Sequence, residues 1–211
     1  MTASNNGYFT MQDVSIKALG GKALPGDWWS RPYEYAWALK FTNKLHIVAD
    51  MGCGWMGRPL AKELAKQSKE VHAIDLDERV HDLEVTASNM YYLDMDFSSS
   101  EMNYFEDNTF DTIYCISVIE DLREDDRLAT LKNFRRLVKR DGKIVITMDA
   151  LWEPWRIAKP YPTVNLNAFS REVKMAGLRF VGDKNFTMPE RPVCHSKWNL
   201  SCYHCVLERD K

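Results

Sequence analysis

The chain has 211 residues, of which 45% are apolar and 27% charged, and its formal net charge is −2. This length supports one domain with its own core but not two. The charge excludes the basic footprint of a non-specific nucleic-acid binder, and no apolar run is long enough to span a bilayer. Five cysteines in a chain of this length do not suggest a disulfide framework. Residues 1–7 are polar, with no basic-then-apolar leader, so the expected location is the cytoplasm. From Leu151 onward, ten Lys or Arg stand against six Asp or Glu, a mild basic bias expected to be a solvated face.

In chain order, residues 1–27 show little periodicity. Around Pro32 a helix is expected, with Tyr33, Ala36, Trp37 and Phe41 on one stripe. Residues 1–44 are read as an N-terminal segment with a lid helix, and residues 45–211 as the main domain. Then comes a strand, His46-Ile47-Val48-Ala49, followed by Asp50-Met51-Gly52-Cys53-Gly54-Trp55-Met56-Gly57. Glycines at G-x-G-x-x-G spacing let the backbone turn sharply and approach a ligand. A helix carrying Leu60, Ala61, Leu64 and Ala65 leads to a second strand, Val71 to Ile74, which ends on Asp75. An acid at that place can accept hydrogen bonds from a ribose diol.

A helix-like stretch runs to about Ser88 and a third strand from Met90 to Leu93, followed by Asp94, Met95 and Asp96. Ser98 to Asp107 reads as a polar loop. A fourth strand covers Asp111 to Ile116, with Ser117 after it. The charge run Glu120 to Arg127 is expected to be a solvated helix start. The helix from Asp125 to Lys139 sets Leu128, Leu131, Phe134 and Val138 on one face. Asp141-Gly142 turns the chain into a fifth strand, Lys143 to Met148. The segment Asp149 to Pro162 carries Trp152, Trp155 and three prolines, which exclude regular structure. A helix over Asn167 to Ala176 stops at Gly177. Two last strands, Leu178–Phe186 and Trp198–Leu207, form a hairpin. Cys202 and Cys205 have C-x-x-C spacing, but strand alternation sends them to opposite faces, so no metal site is assigned.

The order of these motifs resembles the class I S-adenosylmethionine-dependent methyltransferases, closely over residues 45–150 and loosely elsewhere. The acid-x-Gly-x-Gly-x-x-Gly motif of that family matches Asp50, Gly52, Gly54 and Gly57; its ribose acid matches Asp75, and its adenine-side acid matches Asp94 with Met95. Asn108-Thr109-Phe110-Asp111 and the stretch from Arg136 to Lys143 are similar too. The resemblance implies an α/β fold: a Rossmann-like doubly wound seven-stranded sheet, mostly parallel, with a C-terminal antiparallel hairpin. It implies S-adenosylmethionine as cofactor and S-adenosylhomocysteine as product. It puts Asp50, Gly52, Cys53, Gly54 and Gly57 along the glycine turn, with Asp50 and Gly52 near the methionine end. Asp75 then meets the ribose, Leu76 one adenine face, Asp94 and Met95 the adenine, and Ile116 with Ser117 the site wall. Asp94 is preferred to Asp96 by register. Many relatives carry Glu-His where this chain has Glu120-Asp121, so no histidine base is assigned and the catalytic residues stay open.

The implied reaction is methyl transfer to an oxygen or nitrogen of a small-molecule or natural-product acceptor. Trp28, Trp29, Tyr33 and Tyr35 from the lid, with Trp152 and Trp155 from the late aromatic loop, are expected to wall the acceptor pocket; aromatic faces also suit a sulfonium cation. No stable nucleic-acid partner and no membrane contact is expected, and the chain is read as a monomer or homodimer. Methylation of a protein or RNA, a non-catalytic scaffold that binds the cofactor, and a dinucleotide oxidoreductase using the same turn are the alternatives. Asp50 before the glycines and the two-strand ending count against the last.

Overall fold

In the computed structural model, residues 4–19, 22–54, 59–79, 87–153 and 161–210 are described. Strands form where apolar residues alternate between two cores. In β4 (Ile47–Met51), Val48 packs into one and Ala49 and Met51 into the other. In β7 (Phe110–Ile116), Ile113 and Cys115 face one core, Tyr114 and Ile116 the other. Both faces of a central sheet are therefore covered, as a mostly parallel sheet requires.

β5 (Glu70–Asp75) and β6 (Met90–Asp94) follow β4 outward in parallel. The chain then returns, and β7 pairs in parallel with the other edge of β4, with β8 (Val138–Leu151) beyond it. The winding thus reverses between β4 and β7, and open α/β sheets hold ligands outside the carboxyl ends of such a strand pair. The last long strand, β11 (Leu200–Arg209), runs antiparallel along β8. Its outer edge is tiled by three short strands: β10 (Cys194–His195), β1 (Gly7–Tyr8) and β9 (Leu178–Phe180). Covering an edge in this way removes a row of unpaired backbone groups. Seven strand positions result, as expected, although nine strands fill them. A separate hairpin pairs β2 (Ala18–Leu19) with β3 (Lys22–Ala23).

Four α-helices are described. In α1 (Arg31–Ala38), Pro32 occupies the first turn. Its buried residues are Glu34, Tyr35, Trp37 and Ala38, so the stripe expected through Tyr33 and Ala36 is rotated: both are only half-buried. The cause is a charge; Glu34 turns inward to meet buried hydroxyls described below. α2 (Pro59–Gln67) buries Leu60, Ala61, Leu64 and Ala65 as expected. α3 (Glu124–Leu137) has three acids in its first turn and two arginines in its last, matching the helix dipole. α4 (Leu166–Met175) is capped by Asn165, whose side chain accepts from the Asn167 and Ala168 amides at 3.1 Å. It ends at Gly177, whose φ of +70° favours glycine.

Several boundaries differ from expectation. The polar loop after Ser98 contains a short 3-10 turn, Ser100–Tyr104, because Met102 and Phe105 are buried. The fifth strand runs from Val138 to Leu151, and the Asp141-Gly142 turn is an irregularity within it, between the Phe110–Val138 and Thr112–Lys143 pairings. The strand expected over Leu178–Phe186 ends at Phe180, because β1 takes over the edge of β11. The expected helix before Ser88 and part of the aromatic loop after Asp149 lie outside the described residues. Cys202 and Cys205 do fall in different cores.

His204 of β11 is 1% exposed, between Phe9 and Trp37 at ring-centroid distances of 4.3 and 4.7 Å. Its Nε2 lies 2.9 Å from the Ser4 carbonyl. Burial pushes its pKa down from 6.5 to about 4. Stability from the neutral imidazole is fully present above pH 6.5 and is lost as pH falls through about 4. Urea titrations from pH 7 to 4 should show wild type losing about 3 kcal/mol relative to His204→Phe. Parallel pH curves would remove His204 as an acid-sensitive element.

Candidate functional site

The carboxyl ends of β4 and β7 carry the glycine turn and Ser117. Gly52 and Gly54 have φ of +78° and +70°. A Cβ on Gly52 would stand 2.4 Å from Val118 Cγ2, so only glycine fits there. A Cβ on Gly54 would meet nothing within 4 Å: this glycine borders open space. The amides of Gly52 and Cys53 donate to the Ile74 carbonyl, at 2.8 and 3.1 Å. The Gly54 amide donates to Asp75 Oδ2 at 2.7 Å, and Asp75 Oδ1 accepts from the Asp77 amide at 3.0 Å. Asp75 therefore fixes the turn at the end of β5, and each carboxylate oxygen retains lone-pair capacity.

Asp50, at the end of β4, is 3% exposed. Its pKa is pushed up to about 7, chiefly by burial and then by the Asp75 charge, against a backbone hydrogen bond from Ala61 in the first turn of α2. Asp94 and Leu76 are exposed, and Met95 is half-buried against the core. Asp96 Oδ1 accepts from the amide and hydroxyl of Ser98, at 2.8 and 2.7 Å, and so holds its own turn. Gly57 and Trp155 lie outside the described residues.

α1 is fastened over this end of the sheet by Glu34. Its side chain is fully buried. Oε1 accepts from Arg31 Nη1 at 2.9 Å, and Oε2 accepts from Ser117 Oγ at 2.8 Å and from Thr147 Oγ1. Burial alone would raise its pKa; Arg31 and the hydroxyls of Ser30, Thr147 and Ser117 overcome that and hold it below the usual carboxylate range. Ser117 has φ of +49°, unusual for a non-glycine residue, and its amide donates to both the carbonyl and Oγ1 of Thr147 at 3.0 Å. The sequence gives one local sign of this arrangement: Arg31 and Glu34, three apart, share the helix stripe that also buries Trp37.

Two cavities meet beneath α1. One, of about 250 Å³, is lined by Gly52, Cys53, Gly54, Tyr35 and Ile116, among others. The second, of about 350 Å³, is lined by Trp29, Glu120, Asp121, Asp149, Tyr161 and Trp198, among others. Trp28, Arg31 and Ser117 border both. Tyr33 sits to one side, with its ring 6.4 Å from that of Phe9 and its hydroxyl directed at Met11. Trp152 is half-buried, and its amide donates to the Asn199 carbonyl.

Sequence reasoning missed Glu120, Asp149, Arg31 and Trp198. Within the Glu120–Arg127 run, Arg123, Glu124 and Asp125 are exposed at the start of α3 as expected, but the two ends of the run are not solvated. Glu120 is 9% exposed, and Arg127 makes a two-pronged pair with Glu172 of α4, at 2.6 and 2.7 Å. Glu120 turns inward because its short 3-10 turn, Ile119–Asp121, buries Ile119 beside it. Asp149 was readable only as an acid ending an apolar strand. Burial pushes it up to about 7, with Glu34 adding to the shift and Arg31 opposing it. Among the described residues, no group of three or more His, Cys, Asp or Glu is placed to hold a metal ion.

These features define an α/β domain with a glycine-lined crevice at its switch point. Residues 49–146 match the family described as "Methyltransferase domain". No curated protein sequence matches the chain significantly. Among solved structures, the chain is similar to a TehB-like S-adenosylmethionine-dependent methyltransferase from Corynebacterium glutamicum, with TM-score 0.60, 19% identity and coverage of 84% of this chain and 87% of that one. It is similar to the 1,6-didemethyltoxoflavin-N1-methyltransferase of Burkholderia thailandensis, bound to 1,6-didemethyltoxoflavin and S-adenosylhomocysteine, with TM-score 0.63, 18% identity and coverage of 88% and 80%. It also matches the [4+2]-cyclase SpnF, with TM-score 0.67, 12% identity and coverage of 99% and 87%. The chain thus has the fold of S-adenosylmethionine-dependent methyltransferases, and its match to the methyltransferase-domain family spans residues 49–146. No helix among the described residues is long and apolar enough to cross a membrane.

Removing one partner from a buried, charged knot leaves the others uncompensated. Glu34→Ala should therefore cost about 3–5 kcal/mol in denaturant titration. A loss below about 1 kcal/mol would mean that Glu34 does not fasten α1.

Proposed function

We propose that this chain transfers the methyl group of S-adenosylmethionine to an oxygen or nitrogen atom of a small-molecule acceptor. The observation that carries this reading is the meeting of the two cavities at Trp28, Arg31 and Ser117. One borders the glycine turn; the other, of about 350 Å³ and bordered by four aromatic rings, has the size for a small acceptor. The donor cavity also suits the cofactor chemically. The open face at Gly54 admits a ligand against the backbone. Asp50, buried with its pKa near 7, suits a cationic amino group.

In this reading Asp50, Gly52 and Cys53 hold the methionine end. Asp75 accepts hydrogen bonds from the ribose, Leu76 and Met95 pack on adenine, and Asp94 accepts from its amino group. Ile116 and Ser117 form the wall between donor and acceptor. Residues 1–44 act as the lid. The bound cofactor supplies a methyl group on a sulfonium, an already activated leaving group. The chain's own work is then orientation and exclusion of water.

Thermal unfolding with S-adenosylhomocysteine, S-adenosylmethionine or NAD tests this. At a hundredfold excess over Kd, a ligand binding only the folded state adds about 2.7 kcal/mol. The first two should shift the transition and NAD should not; a shift with NAD alone would overturn the proposal. Asp75→Ala should weaken S-adenosylhomocysteine binding, and unchanged affinity would remove the ribose role.

A further inference from the structure

The second cavity is lined by four carboxylates, Asp27, Glu120, Asp121 and Asp149, and one cation, Arg31. Arg31 is already engaged, by the fully buried Glu34 at 2.9 Å. Acids therefore outnumber cations around an acceptor by four to one. One of these acids is incompletely satisfied: Glu120 is 9% exposed, and its Oε2 is buried with no hydrogen-bond partner among the described residues. A buried polar group without a partner is costly, and a native protein keeps one where something else completes it. Burial, and then the charge of Asp149, hold Glu120 well above the ordinary carboxylate range.

The cavity is also aromatic. Trp28, Trp29, Tyr161 and Trp198 line the same cavity. The Tyr161 and Trp198 rings are 4.5 Å apart, and the Trp198 ring stacks on His195 at 3.9 Å. Aromatic faces with carboxylates form a receptor for an organic cation. A metal ion is disfavoured, since no described acids converge to hold one.

We propose that the acceptor is a small cationic amine, seated with its ammonium on Glu120 and Asp149 and its carbon frame among the four aromatic rings. This rests on the methyltransferase reading and specifies its acceptor atom as nitrogen. The amine arrives as an ammonium ion and gives one N–H proton to the Glu120–Asp149 pair. The freed lone pair forms the N–C bond to the methyl carbon as the C–S bond of the sulfonium donor breaks. That bond's electron pair stays on sulfur, and the proton leaves the carboxyl pair for water. A neutral alcohol makes no such ion pair.

The test measures binding rather than turnover. Thermal shifts of the chain, with and without S-adenosylhomocysteine, are recorded with benzylamine, phenethylamine and cyclohexylamine, and with benzyl alcohol, 2-phenylethanol and cyclohexanol. The amines should stabilise the chain and the matched alcohols should not. Glu120→Gln and Asp149→Asn are close in shape to the native residues, and each should weaken amine binding about tenfold or more. Both should keep their S-adenosylhomocysteine shift, which also shows that they fold. No amine shift, equal shifts from amines and alcohols, or amine shifts unchanged in both variants would overturn the proposal. Absence of an S-adenosylhomocysteine shift in wild type strikes instead at the methyltransferase reading, and the amine arm without that ligand keeps the two failures separate.

Discussion

The structure turns on one buried carboxylate. Glu34 has no exposed side-chain surface, yet its pKa is held below that of a free carboxylate. A charge in that position must be fully compensated, and its donors come from three places: Arg31 on its own helix, Ser117 at the end of β7 and Thr147 within β8. Together these contacts fix where α1 lies over the sheet. Tyr35 reaches the cavity at the glycine turn, Trp28 borders both cavities, and Arg31 stands between them. Ser117 accepts an unfavourable backbone conformation to take part. The pocket is thus a consequence of how one charge is satisfied.

The site also holds acids whose environment works against their charge. Asp50 and Asp149 both have pKa values near 7, and burial is the largest cause for each. Proteins tend to keep such locally unfavourable arrangements where ligands bind. Asp50 lies at the end of β4, just before the glycine turn, and Asp149 lines the second cavity. The same electrostatic device thus occurs twice at this end of the sheet, with Arg31 bordering both cavities.

Much of the glycine crevice was legible because its signals are local. The glycine turn, the helix behind it and the acid at the end of β5 follow one another within about thirty residues, and each motif is set by backbone conformation or by strand alternation. The second cavity was not legible, because its walls are assembled from distant segments. Glu120 sits in a charged run that looks solvated, and only the burial of Ile119 turns it inward. Asp149 looks like the end of a strand until β11 carries that strand on to Leu151. Trp198, expected to open the last strand, lies instead in the turn before β11, and nothing near it in the sequence marks it as part of a wall. Even within α1 the helical stripe was misjudged: the inward face carries a glutamate, which a rule based on apolar spacing leaves on the outside.

Tiling the outer edge of β11 has a consequence in time. Gly7 pairs with His204 and Tyr8 with Tyr203. Those pairs cannot form until the ribosome has made residue 204, whereas β4, β5, β6 and β7 need nothing beyond residue 116 to find one another. The crevice strands can come together early in synthesis; β1 must wait until residue 204 has been made. A loop of that length closes slowly, because its entropy is lost before any contact rewards it. β1 is thus made long before it can reach its place.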